Sequence, residues 1–175
     1  MTAACACCGC KKEAGLLIIG LSNSGKTTLV HVLAKEPLEH VVPTAGFSIE
    51  TFTAHNTKLK TMDMSGAMKY QQLWVHYFDQ AQGIVFVVDS ADIAQLGTAR
   101  DTLSATLQHA QLQGVPLLVL ANKQDLAGAM RPAEMAQRLG LAQFKDREYA
   151  IRGCSAATNQ GVAEGFDWLL SRTGR

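Results

Sequence analysis

Short runs of consecutive apolar residues recur along the chain and alternate with segments of helical periodicity. Residues 16–19, 84–88 and 117–120 are apolar at every position. Such runs are typical of strands that are buried on both faces of a parallel sheet covered by helices. A last strand is expected around 149–153. The alternation therefore predicts an α/β fold, with a mostly parallel six-stranded sheet and helices on both faces.

Two segments carry apolar residues at helical spacing and are predicted to pack on this sheet. One stripe comprises Ile93, Leu96, Leu103 and Leu107, and the second comprises Val162, Phe166, Leu169 and Leu170. We assign both stripes to the core. A shorter helix is expected over 132–139, because Pro132 has the fixed φ that suits a first helical turn.

The stretch 47–63 has the alternating pattern of strands rather than the continuous apolar pattern of the buried runs. A polar break at 54–57 divides it in two, which predicts an antiparallel hairpin with one solvated face at the edge of the sheet. Residues 36–46 are expected to form a loop, because Pro37 and Pro43 disfavour regular structure there.

Length and charge narrow the range of functions. A chain of 175 residues is long enough for one domain, which we place at 15–175 behind a flexible cysteine-rich tail at 1–14. The formal net charge is only +1, so bulk electrostatics give no reason to expect nucleic acid as a partner. No apolar run is long enough to span a membrane, and a signal-peptide layout is absent. We therefore expect a cytoplasmic monomer.

The cysteine-rich tail admits three interpretations. Four of the five cysteines lie in the first ten residues, at Cys5, Cys7, Cys8 and Cys10. The tail is either without function, or S-acylated and so attached to a membrane, or a weak metal site that lacks a second ligand pair. Thr2 excludes the N-myristoylation pattern, and the isolated Cys154 is expected to pack as a small apolar residue.

The run GLSNSGKT at 20–27 fits the phosphate-loop pattern Gly-x4-Gly-Lys-Ser/Thr. It lies between a predicted strand and a predicted helix, where backbone N–H groups and the helix dipole favour a polyphosphate. That context argues against a simple Gly/Ser-rich turn. Lys26 is expected to reach the β- and γ-phosphates, and the Thr27 hydroxyl to ligate Mg²⁺. The candidate phosphate-binding residues are Gly20, Leu21, Ser22, Asn23, Ser24, Gly25, Lys26, Thr27 and Thr28.

The tetrapeptide Asn122-Lys123-Gln124-Asp125 indicates which base is bound. A carboxylate at Asp125 can accept hydrogen bonds from N1–H and the exocyclic amine of guanine, whereas adenine cannot form this pair. Asn122 and Lys123 would brace the loop and cover the base. The backbone at Ser155 and Ala156 could contact guanine O6. The alternative is a surface turn of mixed charge.

Three residues between these motifs are candidates for sensing the metal and the γ-phosphate. Asp63 can hold Mg²⁺ through a water, although it could instead cap a following helix. The N–H of Gly66 could meet a γ-phosphate. The loop residue Thr44 could place its hydroxyl on Mg²⁺ and its N–H on the γ-phosphate, so that loop position reports the nucleotide state.

Taken together, the chain resembles the ADP-ribosylation-factor-like branch of small GTPases. The resemblance rests on GLSNSGKTT, PTAGFSIE, LWVHYF, GIVFVVDS, ANKQDL and EGFDWL, and the stretches FSIE and DMSG most resemble its Bardet–Biedl-associated ciliary members. It implies GTP and GDP as ligands, Mg²⁺, and effector binding through switch regions at 36–50 and 63–79. It also implies a role in membrane or ciliary protein transport, with an exchange factor and a GTPase-activating protein as further partners.

The resemblance also places an effector surface on the hairpin, where Phe47 and Tyr77 match aromatic positions of the family. Two departures from the family pattern matter. Ala67 stands where the family has the glutamine that orients the attacking water, so we expect very slow GTP hydrolysis. Residues 1–14 offer neither a myristoylated glycine nor an amphipathic helix. The interpretations left open are a cycling switch, a GTP-binding adaptor that hydrolyses little and, with least support, a small-molecule kinase.

Overall fold

The computed structural model describes residues 12–38, 46–54, 57–64 and 68–173. Six strands form one sheet in the order β2-β3-β1-β4-β5-β6, and only the β2–β3 pair is antiparallel. The strands are β1 Lys12–Gly20, β2 Phe47–Ala54, β3 Thr57–Met64, β4 Gly83–Asp89, β5 Leu117–Asn122 and β6 Tyr149–Gly153. The predicted parallel sheet with an antiparallel edge hairpin is confirmed.

The described part of the chain contains four α-helices, of which the first three lie between strands and the fourth follows the last strand. They are α1 Lys26–Ala34, α2 Leu96–Leu107, α3 Pro132–Arg138 and α4 Val162–Leu170. The chain between β3 and β4 contains a long 3₁₀ helix, Met68–Gln80, and shorter 3₁₀ turns occur at Ile93–Gln95, Ala110–Leu112 and Leu141–Gln143. Within the described ranges, no helix combines the length and the apolar content that crossing a bilayer requires.

The central strands β1, β4 and β5 are buried on both faces, as their apolar runs predicted. Alternate residues of β1 enter different cores, since Leu17 and Ile19 pack with α2 and α3 while Leu16 and Ile18 pack with α1 and α4. All of these side chains are fully buried. The prediction of helices on both faces is therefore confirmed.

Two expectations need correction. Strand β1 begins at Lys12, so residues 12–14 belong to the sheet and not to the tail. Residues 1–11 lie outside the described residues, and the proposed division of the chain stays a prediction. Ile93 is 54% exposed instead of buried, because the side chain of Asp92 accepts from the Gln95 N–H and forms a 3₁₀ turn that delays α2.

The hairpin exposes the side that carries apolar residues. Phe47 and Ile49 are 44% and 43% exposed, whereas Ser48 and Glu50 between them are half-buried. Met62 and Met64 of β3 are buried in the core beside Met68–Gln80. The residues paired with them on β2, Ile49 and Phe47, lie on the outermost strand of the sheet and are therefore less covered. The hairpin therefore presents an apolar surface to solvent.

Candidate functional site

The predicted site residues converge at one edge of the sheet. The carboxyl ends of parallel strands lie side by side, and ligands of such sheets bind in the loops that follow them. The phosphate loop follows β1, Asp63 lies near the end of β3, and Asn122 ends β5. Residues 154–156 follow β6 directly. The tertiary structure therefore gathers motifs that are far apart in the sequence.

The two glycines of the phosphate loop are required for different contacts. Gly20 has φ +148° and Gly25 has φ +94°, and L side chains rarely adopt either conformation. A Cβ on Gly20 would collide with the carbonyl oxygen of Val87 on β4. A Cβ on Gly25 would collide with the Asn122 side-chain amide. The loop is thus held close to both β4 and β5.

Lys26, at the start of α1, is enclosed by the loop. Its ammonium donates to the carbonyl oxygen of Leu21 at 2.8 Å, and the residue is only 6% exposed. Burial lowers the pKa of Lys26 from 10.5 to about 8, and the carboxylate of Asp63 acts in the opposite direction. A phosphate beside this ammonium would favour its charged form and satisfy its remaining donors.

Thr27 and Asp63 form a pair of oxygen ligands suited to Mg²⁺. The Thr27 hydroxyl donates to Asp63 Oδ2 at 2.8 Å, and Asp63 is 1% exposed within β3. Magnesium prefers a few hard oxygen ligands together with waters and substrate phosphates, and it seldom occupies a cage made only of protein. The donor set next to the phosphate loop therefore fits Mg²⁺ bound together with a polyphosphate.

The side chain of Asn122 forms hydrogen bonds with both the phosphate loop and the loop after β6. Its amide nitrogen donates to the Ser24 carbonyl at 2.9 Å, and its amide oxygen accepts from the Ala156 N–H at 2.9 Å. The thiol of Cys154 lies 3.6 Å from the same oxygen. Asn122 is 2% exposed, so each of these bonds forms away from water. These are the contacts that the predicted bracing role of Asn122 requires, and the role itself stays a prediction.

Lys123 is fixed by a partner that the sequence did not single out. Its ammonium lies 2.6 Å from Asp89 Oδ2, and Asp89 Oδ1 accepts from the Ala91 N–H. Lys123 adopts φ +66°, which directs the chain abruptly away from β5. Asp89 ends β4, which lies beside β5 in the sheet. Knowing that these two strands are neighbours would have identified Asp89 as a partner for Lys123.

The loop after β6 is closed by its own backbone. Ser155 and Gln160 exchange two backbone hydrogen bonds of 2.9 and 3.1 Å, and the Ser155 hydroxyl accepts from the Thr158 N–H. Ser155 and Ala156 are each 2% exposed, and the Ala156 N–H donates to Asn122 Oδ1, so this loop is packed against the end of β5. Asp125, by contrast, is exposed on the loop after β5.

The remaining candidates divide into two groups. Leu21, Ser22, Asn23 and Thr28 are placed in and beside the phosphate loop, with Ser22 and Asn23 exposed. Thr44, Gly66 and Ala67 lie outside the described residues, and so do Cys5, Cys7, Cys8 and Cys10. Their predicted roles stay predictions.

Comparison with known proteins identifies the family. The model of the ADP-ribosylation factor family matches residues 2–173. The chain is 40% identical over 160 residues to ADP-ribosylation factor-like protein 3 of Chlamydomonas reinhardtii, covering 91% of this chain and 90% of that protein. It is 42% identical over 161 residues to ADP-ribosylation factor-like protein 2 of Arabidopsis thaliana, covering 91% and 87%.

A solved structure agrees with these relatives. The Arl6 BBS3 small GTPase from Trypanosoma brucei, with the bound nucleotide analogue GppNp, superposes with a TM-score of 0.87 at 35% identity. The match covers 94% of this chain and 99% of the solved one. The chain therefore belongs to the ADP-ribosylation factor family of small GTPases, which bind GTP and GDP with Mg²⁺ and hydrolyse GTP.

Proposed function

We propose that this GTPase is a molecular switch that recruits effector proteins in membrane or ciliary trafficking when GTP is bound. The observation that carries the proposal is an aromatic pair, with Phe47 exposed and Tyr77 partly buried, that links the two switch regions. The rings of Phe47 on β2 and Tyr77 in Met68–Gln80 lie 4.9 Å apart between centroids. Exposed Ile49 extends the same surface. An apolar surface built from both switch regions changes shape when either region moves.

The nucleotide roles in this proposal are those predicted from the sequence, and the described contacts of Lys26, Thr27 and Asn122 support part of them. Lys26 contacts the β- and γ-phosphates, and Thr27 and Asp63 hold Mg²⁺, with Thr44 as a third metal contact in the triphosphate state. Asn122 holds the loops, Lys123 covers the base and Asp125 pairs with guanine. The backbone of Ser155 and Ala156 lies at guanine O6, and the N–H of Gly66 meets the γ-phosphate. The short distances at Thr27 and Asn122 support these roles.

A paired affinity experiment tests effector recruitment. The protein is loaded with GDP or with GppNp, and the partners retained by each form are quantified by mass spectrometry. The proposal expects partners that bind only the GppNp form and are lost from a Phe47→Ala, Ile49→Ala variant. Ile93→Ala is the matched control, because Ile93 is an aliphatic residue outside both switch regions that is at least as exposed as Ile49. Equal loss in both variants, or partners indifferent to nucleotide, would contradict the proposal.

The second candidate function is a GTP-binding adaptor that hydrolyses little. It is favoured by Ala67, because a methyl group cannot orient the attacking water as a glutamine amide does. Single-turnover hydrolysis of the purified protein is compared with that of Ala67→Gln. A much faster variant supports the adaptor, and so does GTP that survives purification. Equal rates would favour a cycling switch.

Membrane attachment through the tail is a separate part of the proposal. We infer S-acylation at Cys5, Cys7, Cys8 and Cys10, because two or more acyl chains give stable anchoring where one does not. The ciliary part of the proposal draws on the solved relative, whose name includes BBS3. Hydroxylamine-sensitive palmitate labelling of the full chain tests the modification. Labelling that persists when all four cysteines are changed to serine would contradict it.

A further inference from the structure

We propose that Gln124, the third residue of the tetrapeptide Asn122-Lys123-Gln124-Asp125, is a positioning residue for guanine recognition. The inference rests on the proposed pairing of Asp125 with guanine. Gln124 directly precedes Asp125, and its side chain points away from the base loop into the protein. Its role is to hold the backbone from which the Asp125 carboxylate extends.

The Gln124 side-chain amide joins two separate segments of the chain. Its nitrogen donates to the Ser90 hydroxyl at 2.8 Å and to the Met130 carbonyl oxygen at 2.9 Å. These bonds use both N–H groups of the amide. The backbone N–H of Gln124 donates to the Cys154 carbonyl oxygen at 3.0 Å, which adds the loop after β6. One residue therefore connects the segments that follow β4, β5 and β6.

Ser90 is the fixed point of this arrangement. It is 1% exposed, its N–H donates to the Asn122 carbonyl oxygen at 2.9 Å, and its carbonyl oxygen accepts from the Met130 N–H at 2.8 Å. A buried hydrogen-bonded group of this kind makes a rigid anchor. Gln124 thus links the loop after β5, which carries Asp125, to Ser90, and Ser90 is itself bonded to Asn122 at the end of β5.

Asp125 needs such support because packing does not supply it. The residue is exposed, and the chain around it turns twice, with Lys123 at φ +66° and the Leu126 N–H donating to the Lys123 carbonyl oxygen. A bidentate contact to guanine requires both carboxylate oxygens in register with two donors on the base. A small rotation of the loop would preserve one of these hydrogen bonds and weaken the other.

This geometry yields a specific expectation for two nucleotides. Inosine diphosphate retains the N1–H of GDP but lacks the exocyclic amine, so it can use only one of the two hydrogen bonds to Asp125. If Gln124 holds Asp125 in the position that allows both hydrogen bonds, replacing Gln124 should mainly weaken the bond to the exocyclic amine. The affinity for GDP should then fall more than the affinity for inosine diphosphate. A purely structural role would weaken both nucleotides by the same factor.

The test measures affinities for GDP and for inosine diphosphate, both with Mg²⁺, in the full chain and in Gln124→Met. Methionine keeps the length of the stem beside Gly153 and removes both donors. We expect GDP to bind about tenfold more weakly and the GDP preference to fall at least about threefold. Gln137→Met, on the exposed side of α3, is the control and should change neither value.

Ser90→Ala tests the same inference with a different variant, and it can be measured even if Gln124→Met does not fold. It removes one of the two acceptors, so the GDP preference should fall in the same direction but less. An unchanged preference in the variants would overturn the inference while leaving the role of Asp125 intact. A wild-type protein without any preference for GDP over inosine diphosphate would instead overturn the role of Asp125 and the inference with it.

Discussion

Most residues of the phosphate loop are fixed by close contacts or hydrogen bonds, but the Ser24 side chain lacks a hydrogen-bond partner among the described residues. The hydroxyl oxygen of Ser24 is buried and forms no hydrogen bond with the described part of the chain. Ser24 is one of the residues that line a cavity of about 20 Å³, together with Asp92 and Ala99. The Ser24 carbonyl, in contrast, is bonded to Asn122. The backbone of this residue therefore has a defined partner, whereas its hydroxyl has none among the described residues.

Replacing this hydroxyl should stabilise the protein. We expect Ser24→Ala to raise the free energy of unfolding by about 1 kcal/mol, because an unpaired buried hydroxyl is removed and the backbone contact is kept. Urea unfolding of the GDP-bound protein measures the change. An unchanged or lower stability would show that the hydroxyl has a partner, such as a water in the cavity.

The thiol of Cys154 should be unreactive in the folded protein. Burial raises the pKa of Cys154 from 9.0 to about 12, and the thiolate is the reactive form. We expect iodoacetamide at about pH 8.5 to label Cys154 roughly a hundredfold more slowly in the folded protein than in urea. Peptide-resolved mass spectrometry separates this site from the cysteines of the tail. Equal labelling rates would contradict the expectation.

The same shift has a consequence for stability. The folded-state pKa of Cys154 lies above that of the unfolded thiol, so the folded protein retains a proton that the unfolded chain releases. The contribution of this group to stability is complete below about pH 9 and declines as the pH rises towards 12.

At the scale of elements, one buried arginine joins the end of α2 to the start of β6. Arg147 donates to the carbonyl oxygens of Leu107 at 3.2 Å and Leu112 at 2.9 Å, and it pairs with Asp146 at 2.7 Å. The Arg147 side chain is 1% exposed, whereas that of Asp146 is 42% exposed. The hydrogen bond from Arg147 is the main cause that lowers the pKa of Asp146. The guanidinium therefore satisfies carbonyls that the helix end leaves open.

Loss of this arginine should be costly. We expect Arg147→Met to lower the free energy of unfolding by about 3 kcal/mol, because buried carbonyl oxygens lose their donors. Arg138→Met is the control, since Arg138 forms an exposed pair with Glu134 within α3 and should cost less than about 0.5 kcal/mol. Denaturant unfolding measures both changes. Similar values for the two variants would contradict the structural role of Arg147.

At the scale of the whole molecule, the candidate nucleotide site is composed of the loops that follow β1, β5 and β6 together with the end of β3. Ligand binding should therefore stabilise the domain as a unit. At one hundred times its dissociation constant, GDP with Mg²⁺ should raise the free energy of unfolding by about 2.7 kcal/mol. ADP at the same concentration should have almost no effect. Equal stabilisation by ADP would contradict guanine recognition by this site.

The metal contribution can be separated in the same measurement. Chelation of Mg²⁺ should remove part of the GDP stabilisation from the wild-type protein, because Thr27 and Asp63 are the proposed ligands of the ion. In Asp63→Asn the chelator should have a smaller effect. Thermal unfolding with and without chelator checks this expectation, and an equal chelator effect in both proteins would exclude Asp63 from the metal site.

The sequence by itself determined the elements and the loops that depend on local pattern. Continuous apolar runs identified β4 and β5, alternation identified the hairpin, and glycine spacing identified the phosphate loop, because strand period and loop conformation are set by residues a few positions apart. The position of Ile93 was predicted wrongly, since a side-chain hydrogen bond from the Gln95 N–H to Asp92 shifted the start of α2.

Only the tertiary structure decided which distant polar groups meet and which apolar groups remain outside. Asn122 bonds Ser24 across 98 positions, and Lys123 and Gln124 bond Asp89 and Ser90 across 34. A sequence shows that a side chain is polar but not which strand lies beside it, and strand order supplies the partner. For the same reason the exposure of Phe47 follows from the position of β2 at the edge of the sheet, where the ring of Tyr77 covers it only in part.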